Sequence, residues 1–440
     1  MKLTGKVLAF FCLVVFFAGC LAGKRPSNEV TVWHWMSDRD DVFRDLAGRF
    51  EKETGIRVRF ELLAPSESYR QRIRAAAQTN MLPDIFGVLG EKRDFAAYIR
   101  SGFVKDLTEE MSKQTGDRSM AWKDTFFEKA IAVNSFAADN EFGVEAGIYG
   151  VPLDASTIQM IYNKQIYKSA GLDPEKPPLT WKEFVEHNRI LKKEGYPGFV
   201  SGFGELWMIE AMASNWAMNL MGEEKVFDTY RGLVPYTAHE WVEVLNLFKQ
   251  MADEGILIDG AVTMVNKTAE QTFVNERATY AFNGSWSVNI YRGMNPHLDY
   301  GSFPVPAISS ARPMRVWGGS GSSLVVNNRS PRQEEAVRFL RWLTAEDQQR
   351  YLAQKTEDLP SIRAGREWVS GVQAQFVSSI ETVTHPNMYP VHEDPAVQEA
   401  FLKGIQYILI GEKTPEEVAG QTQRLKEKEL AKTVGMATAS

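Results

Sequence analysis

Three stretches carry the reading of the fold: Glu29-Val-Thr-Val-Trp-His-Trp35, Phe50-Glu-Lys-Glu-Thr-Gly-Ile-Arg-Val-Arg-Phe-Glu-Leu62 and Pro83-Asp-Ile-Phe-Gly-Val88. The first is dense in β-branched and aromatic residues, which fit a strand. Val42, Leu46 and Phe50 then recur at fourth positions, so a helix follows, with Ser37 or Asp38 as its N-cap and Gly55 as its stop. Ile56, Val58, Phe60 and Leu62 alternate with Arg57, Arg59 and Glu61, the period of a half-buried strand. Ser66 opens a second helix through Tyr69, Ile73 and Ala77, residues 83–88 form a third strand, and 95–100 belong to another helix. This alternation predicts an α/β fold with a parallel sheet flanked by helices. Such sheets bind ligands beyond the carboxyl ends of their strands, which directs attention to the residues after Trp35, Leu63 and Val88.

Further along, Tyr149-Gly-Val-Pro152 interrupts the pattern, and Thr157–Tyr162 reads as another strand. Residues 163–170 and 181–193 have helical spacing, separated by a loop with Pro174, Pro177 and Pro178. Phe303-Pro-Val-Pro-Ala307 is extended and too proline-rich for a central ladder. It suits a stiff connection between lobes, as do residues 149–155; the two crossings are expected at 149–155 and 301–307. Residues 425–432 read as a charged, solvated terminal helix. The 440 residues suffice for two domains at roughly 150 residues each. Lys and Arg total 50 against 56 Asp and Glu, and this mildly acidic balance without a basic run disfavours nucleic acid as a partner.

Cys12 and Cys20 are the only cysteines. Everything after Cys20 therefore lacks disulfides and thiolate metal sites. Lys2 and Lys6 precede an apolar run from Val7 to Phe17 and the small pair Ala18-Gly19, the layout of a secretory signal. The run is shorter than the roughly 20 residues a bilayer span needs. Phe17-Ala-Gly-Cys20 resembles the lipobox of bacterial lipoproteins, with Phe17 in place of the usual aliphatic residue. The resemblance implies a signal peptide over 1–19, a lipidated Cys20, a short polar tether over 20–28, and attachment to the membrane by that lipid.

From Val30 to Ala419 the chain resembles extracellular solute-binding proteins of the family 1 type, the sugar-capturing receptors of ABC importers. Val30-Thr-Val-Trp-His-Trp35, Phe50–Val58 and Pro83-Asp84-Ile85 carry the likeness in the first part. Tyr149-Gly-Val-Pro152, Tyr162-Asn-Lys164, Ala170-Gly-Leu172 and the run ending Asn283-Gly-Ser-Trp286 continue it. Gly318-Gly319, Ala336–Leu343, Leu359-Pro-Ser361 and Gly411-Glu-Lys-Thr-Pro415 follow in the family's order. The resemblance implies a two-lobed, periplasmic-binding-protein-like fold of type II, each lobe a mostly parallel sheet flanked by helices. Lobe I would comprise 28–150 plus 306–346, and lobe II 153–303 plus 349–432. A monomer that closes on its ligand and docks on importer permease subunits is implied.

The chemistry of catalysis is hard to find. Six histidines, at 34, 187, 239, 297, 385 and 392, form no metal-ligand spacing, and neither a cofactor loop nor a nucleophile elbow is present. A glycosidase needs only two flanking carboxylates, a pattern that 56 acidic residues leave open. A sugar receptor has different needs. A pyranose offers an apolar C–H face that stacks on Trp or Tyr, and hydroxyls whose burial without partners costs about 1–3 kcal/mol each. A polyol, glycerol phosphate or peptide is the alternative solute.

Aromatic residues beside acids or amides at strand ends are the candidates on that basis. Trp35 ends the first strand and reads equally as cleft or core, whereas Trp33 belongs to the core by parity; Asp38 is a ligand group or a helix cap. Glu67 follows the second strand, with first-turn decoration as its alternative. Asp84, a structural hydrogen-bonding residue near the cleft, and Glu91, with Asp94, follow the third, where Lys92 or Arg93 reads as solvated. Asp154, just past the hinge Pro152, is the leading carboxylate. Trp207 sits with Glu205 after a glycine loop, and Trp216 is expected in the core. Trp286, flanked by Asn283 and Ser285, is the leading aromatic, followed by Trp317 before two glycines. Arg363 is a hydroxyl or carboxylate clamp, or a partner for Glu357. Tyr389, His392 and Glu393 lie on a proline-rich loop that resembles the cleft edge of lobe II, or that is simply exposed.

Overall fold

The computed structural model describes residues 28–89, 92–115 and 118–437. Strand β1 (Glu29–His34) is buried along its whole length, and β2 (Arg57–Leu62) and β3 (Ile85–Gly87) lie parallel on either side of it, with Val30 opposite Val58 and Val32 opposite Ile85. Helices α1 (Asp40–Thr54), α2 (Ser66–Gln78) and α3 (Lys92–Arg100) connect and extend them. Gly55 ends α1 in the left-handed conformation, its N–H bonded 2.8 Å from the Glu51 carbonyl, a conformation that glycine adopts without a Cβ penalty. The start of α1 differs from expectation. Neither Ser37 nor Asp38 caps it; Arg39 occupies the cap position without a side-chain bond to the helix. The buried stripe is Phe43, Leu46, Ala47 and Phe50, with Val42 half-buried at its edge.

Two long strands tie the molecule together. The first crossing strand, Val151–Asn163, is buried throughout. It runs antiparallel to the second, Val316–Val326, from Leu324 opposite Val151 to Trp317 opposite Ile158. Leu324–Val326 then pairs with β3, whereas residues 158–163 pair antiparallel with Tyr280–Gly284 and Tyr300–Phe303. The strand Phe199–Ser201 lies parallel to Tyr280–Gly284. One mixed sheet thereby spans both halves. A third connection, Leu359–Pro360, pairs with Ala155 and Asp154.

Apolar side chains collect on either side of the crossings. In lobe I, Phe43, Phe50, Phe60 and Phe339 pack in one cluster, with Val151, Leu153 and Leu324 of the crossing strands. In lobe II, Phe184, Trp216, Phe248 and Phe401 pack with Ile158 and Met160. Trp33 and Trp216 are core residues, as their sequence positions predict.

The passage back to lobe I lies later than residues 301–307. The carbonyl of Pro306 accepts the Trp216 indole N–H at 3.2 Å, the Ala307 carbonyl accepts the Trp181 N–H at 2.8 Å, and Ile308 and Met314 pack on the lobe II core. The prolines mark an extended segment correctly, but its carbonyls are used inside lobe II. The passage runs through the glycine-rich part of Val316–Val326, where the register slips between Ser320 and Ser323. The terminal helix Pro415–Ala437 is not wholly solvated either: Val418 and Ala419 join the lobe II core and Lys426 is buried. No helix among the described residues is long and apolar enough to cross a membrane. Residues 1–19 and Cys20, to which the signal and lipid expectations refer, lie outside the described residues, as does most of the tether.

Candidate functional site

A cleft of about 600 Å³ opens between the lobes, floored by the crossing strands at Ser156, Ile158, Trp317, Gly318 and Ser320, a size typical of small-molecule sites at about 300–1,000 Å³. Lobe I contributes Val88, Leu89, Lys92, Asp94 and Asn134; lobe II contributes Trp207, Glu210, Tyr230, Trp286, Tyr389 and Glu393.

Three indoles form its apolar wall. Trp207 stacks on Trp317 with centroids 6.0 Å apart and planes 23° apart, and Trp286 tilts against Trp207 at 6.2 Å. They come from different local structures. Trp207 begins the helix Leu206–Met221, Trp286 precedes the helix Ser287–Met294, and Trp317 lies on the second crossing strand. At Gly284 a Cβ would stand 2.0 Å from the Trp286 ring, so only glycine lets the indole fold back there.

A hydrogen-bonded network behind this wall holds two of the rings. Glu205 accepts the Trp207 indole N–H at 2.8 Å and the Asn266 backbone N–H at 2.8 Å. Asn266 Nδ2 donates to Glu270 at 3.0 Å, as does Asn283 Nδ2 at 3.0 Å, and Glu270 also accepts a bond from the Trp286 side chain. Burial pushes the Glu270 carboxyl up, against the effect of these donors. The Trp317 indole nitrogen is buried without a partner among the described residues. The network fixes two of the indoles that line the cleft, side chains suited to stacking on a ligand's apolar face.

Trp207, Trp286 and Trp317 thus line the cleft together, with Glu393 at its edge. Glu393 is not a free hydroxyl acceptor: it bonds Lys426 Nζ at 2.5 Å and the Tyr236 hydroxyl at 2.9 Å. Burial raises its pKa, opposed by Lys426. Tyr389 and His392 join it from the same loop.

Other expected contacts are placed elsewhere. Trp35 packs its ring 5.2 Å from Tyr69 and against Gly87, off the cleft lining. Asp38 is exposed beside Arg39, and Glu67 is exposed and paired with Arg70 at 2.7 Å. Asp84 is buried, accepting the Thr31 N–H at 2.8 Å and the hydroxyls of Thr31 and Ser330 at 2.7 Å each, which makes it a brace within lobe I. Asp154, the leading carboxylate of the sequence, is 4% exposed and bound to Arg39 at 2.5 Å and to the Ser322 N–H and hydroxyl. Its position beside the hinge is right, but its oxygens are used inside the fold. Arg363 is exposed, donates 2.9 Å to the Phe126 carbonyl and does not line the cleft; Glu357 pairs instead with Arg292. Glu91 lies outside the described residues.

Sequence reasoning passed over Lys92, His385 and Tyr230. Lys92 looks solvated in the charged run from Glu91 to Asp94, yet it is 4% exposed, donating to the carbonyls of Val133 and Ser135. No signal in the sequence marks those acceptors. No group of three or more His, Cys, Asp or Glu side chains among the described residues is arranged to hold a metal ion.

Comparison with known proteins agrees with this two-lobed architecture. Residues 36–350 match the family described as bacterial extracellular solute-binding protein. A multiple sugar-binding protein from Streptococcus mutans is 22% identical over 343 residues, 75% of each chain. The melibiose/raffinose/stachyose-binding protein MelE of Bacillus subtilis is 23% identical over 409 residues, 90% of this chain and 86% of that protein. A solved ABC transporter solute-binding protein from Thermotoga lettingae, bound with alpha-D-tagatose, has a TM-score of 0.73 at 18% identity, covering 91% of this chain and 99% of that one.

Proposed function

The chain belongs to the bacterial extracellular solute-binding proteins, and from that premise we propose that it captures a mono- or oligosaccharide between its lobes for an ABC importer. The observation that carries this reading is the wall of Trp207, Trp286 and Trp317 along the cleft, the first two tied back by Glu205 and Glu270. Sugar rings stack on such faces, and hydroxyls find donors and acceptors in the polar cleft lining. The sugar-binding relatives support the same ligand class. Contact with permease subunits follows from the family's role, and a monomer with two lobes supplies everything the cleft uses.

Lobes joined by crossing strands close around ligands by hinge motion, with the hinge here at residues 151–158 and 318–323. The lipobox-like Phe17-Ala-Gly-Cys20 supports anchoring by lipid at Cys20; labelled palmitate should enter the wild-type protein and not Cys20→Ala. Calorimetry against a panel of neutral and acidic sugars, guided by mass spectrometry of any co-purified ligand, tests the central reading. Saturable sugar binding with a smaller radius of gyration in the complex supports it. Silence across the panel together with binding of peptides overturns it.

A further inference from the structure

One corner of the cleft holds hydrogen-bond donors without a carboxylate to meet them. The Lys92 ammonium, at the start of α3, donates 2.9 Å to the Val133 carbonyl and 2.5 Å to the Ser135 carbonyl, and lies 4.1 Å from the centre of the Phe136 ring. Of the three N–H donors of an ammonium, two meet these neutral carbonyls and none meets a counter-charge. Among the described residues no carboxylate forms an ion pair with Lys92, and burial, the one cause acting on it, pushes its pKa down to about 7.

His385 lines the same cleft from lobe II. Its Nδ1 accepts the Asn387 N–H at 3.0 Å, which places the proton of the neutral ring on Nε2. The ring lies 4.5 Å from Trp317, so its position is fixed by the aromatic wall. Burial lowers its pKa to about 3, and the charges of Lys92 and His392 act in the same direction. The two residues are near enough to sense one another, and no acidic group counters either. Of the acids that line the cleft, Asp94 pairs with Arg74 at 3.5 Å, Glu393 bonds Lys426 and Tyr236, and Glu210 lies near Tyr230 and Tyr389.

We propose that Lys92 and His385 form a subsite for the oxyanion of an acidic carbohydrate, a uronate carboxylate or a phosphate monoester, and so select acidic sugars over neutral ones. This deepens the sugar-receptor reading and rests on it. An ionised carboxylate or phosphate only accepts hydrogen bonds, matching a corner that only donates them, and charge-assisted bonds of this kind are roughly twice as strong as neutral ones. The anion replaces the missing counter-charge of a desolvated ammonium. Trp317, tilted 33° against His385, would place the ring of the acidic sugar unit next to its charged substituent.

Calorimetry at pH 7 on the full chain compares digalacturonate, galactose 1-phosphate and a neutral galactose disaccharide. At least one acidic sugar should bind ten or more times tighter than the neutral one, and which of the two does so separates carboxylate from phosphate. Lys92→Met should remove the preference, bringing the acidic sugar down to the affinity that the same variant shows for the neutral one. Because Lys92 also ties α3 to residues 133–135, that variant could fail to fold, so a second measurement uses wild type alone. Binding of the acidic sugar at pH 7.5, in two buffers of different ionisation heat, should take up a proton as the anion recharges Lys92. Neutral sugar binding as tight as both acidic sugars, or acidic binding without proton uptake, overturns the subsite while leaving the sugar receptor standing. Silence across the whole sugar panel together with binding of peptides removes the receptor reading and the subsite with it.

Discussion

The Glu141 carboxylate and the His392 imidazole meet across the mouth of the cleft, with Glu141 Oε1 2.6 Å from Nδ1. The other ring nitrogen lies 2.8 Å from the Pro386 carbonyl, and Phe142 stands edge-on to the ring with centroids 4.9 Å apart. Phe142 packs with the lobe I core and Tyr389 with that of lobe II. The pair therefore joins the two lobes directly, where a contact acts on their opening and closing.

Glu141→Gln should weaken ligand binding without affecting the fold of either lobe. Both partners retain some solvent contact, so the expected loss is about 0.5–1 kcal/mol, roughly two- to fivefold in affinity. Calorimetry with the bound sugar, beside the melting temperature of the ligand-free protein, reads the two effects separately. Unchanged affinity would mean that the contact plays no part in closure.

Asp154→Ala should cost stability and not sugar contacts. Asp154, on the first crossing strand, joins Arg39 to the Ser322 N–H of the second, so its loss removes one of three close carboxylates from a buried guanidinium. Breaking a buried pair commonly costs about 3–5 kcal/mol; because Asp358 still faces Arg39 at 3.0 Å, the lower end is expected. The denaturation midpoint measures it. Normal stability with abolished sugar binding would return Asp154 to the cleft.

Asp358 gives this cluster a pH dependence. Burial pushes its carboxyl up to about 7, Arg39 opposes that, and Asp154 and Asp38 reinforce it. The folded chain thus holds a proton that the unfolded chain releases near pH 4. Stability falls as pH rises from about 4 to about 7, and the full cost is present above 7. Asp358→Asn removes this contribution, so the melting-temperature difference between variant and wild type should grow in the variant's favour across that window. A difference constant from pH 4 to pH 8 would contradict the assignment.

These cases show which parts of the molecule can be read along the chain. The β1–β3 pattern is legible because alternation and fourth-position spacing reflect burial against neighbours in a local layer. Trp286 is legible because the strand Tyr280–Gly284 ends in a glycine just before it. Asp154 is legible as a hinge residue but not as a bound one, since its partner Arg39 is 115 residues away. Lys92 is hidden for a similar reason: its acceptors are backbone carbonyls 41 and 43 residues on, and backbone atoms carry no side-chain signature. The prolines at 304 and 306 identify extended chain without saying which lobe uses its carbonyls. That depended on Trp216 and Trp181, both distant in sequence.

Trp286→Ala should abolish most sugar binding while leaving the ligand-free protein folded. The indole is half-buried, tilted 49° to Trp207 and bonded to Glu270, with Gly284 giving it room to lie back against the strand end. Truncating an aromatic anchor in a desolvated pocket commonly costs about 2–4 kcal/mol of affinity, roughly 30- to 1,000-fold. A wholly buried tryptophan would instead cost about 3–5 kcal/mol of stability. Glu270 keeps its bonds from Asn266 and Asn283 in the variant, so the buried carboxylate is not orphaned and the apo melting temperature should move by only a few degrees. Calorimetry and apo melting on the one variant separate the alternatives. Intact affinity, or a large fall in apo stability, would make Trp286 a packing residue and leave Trp207 and Trp317 as the stacking surface.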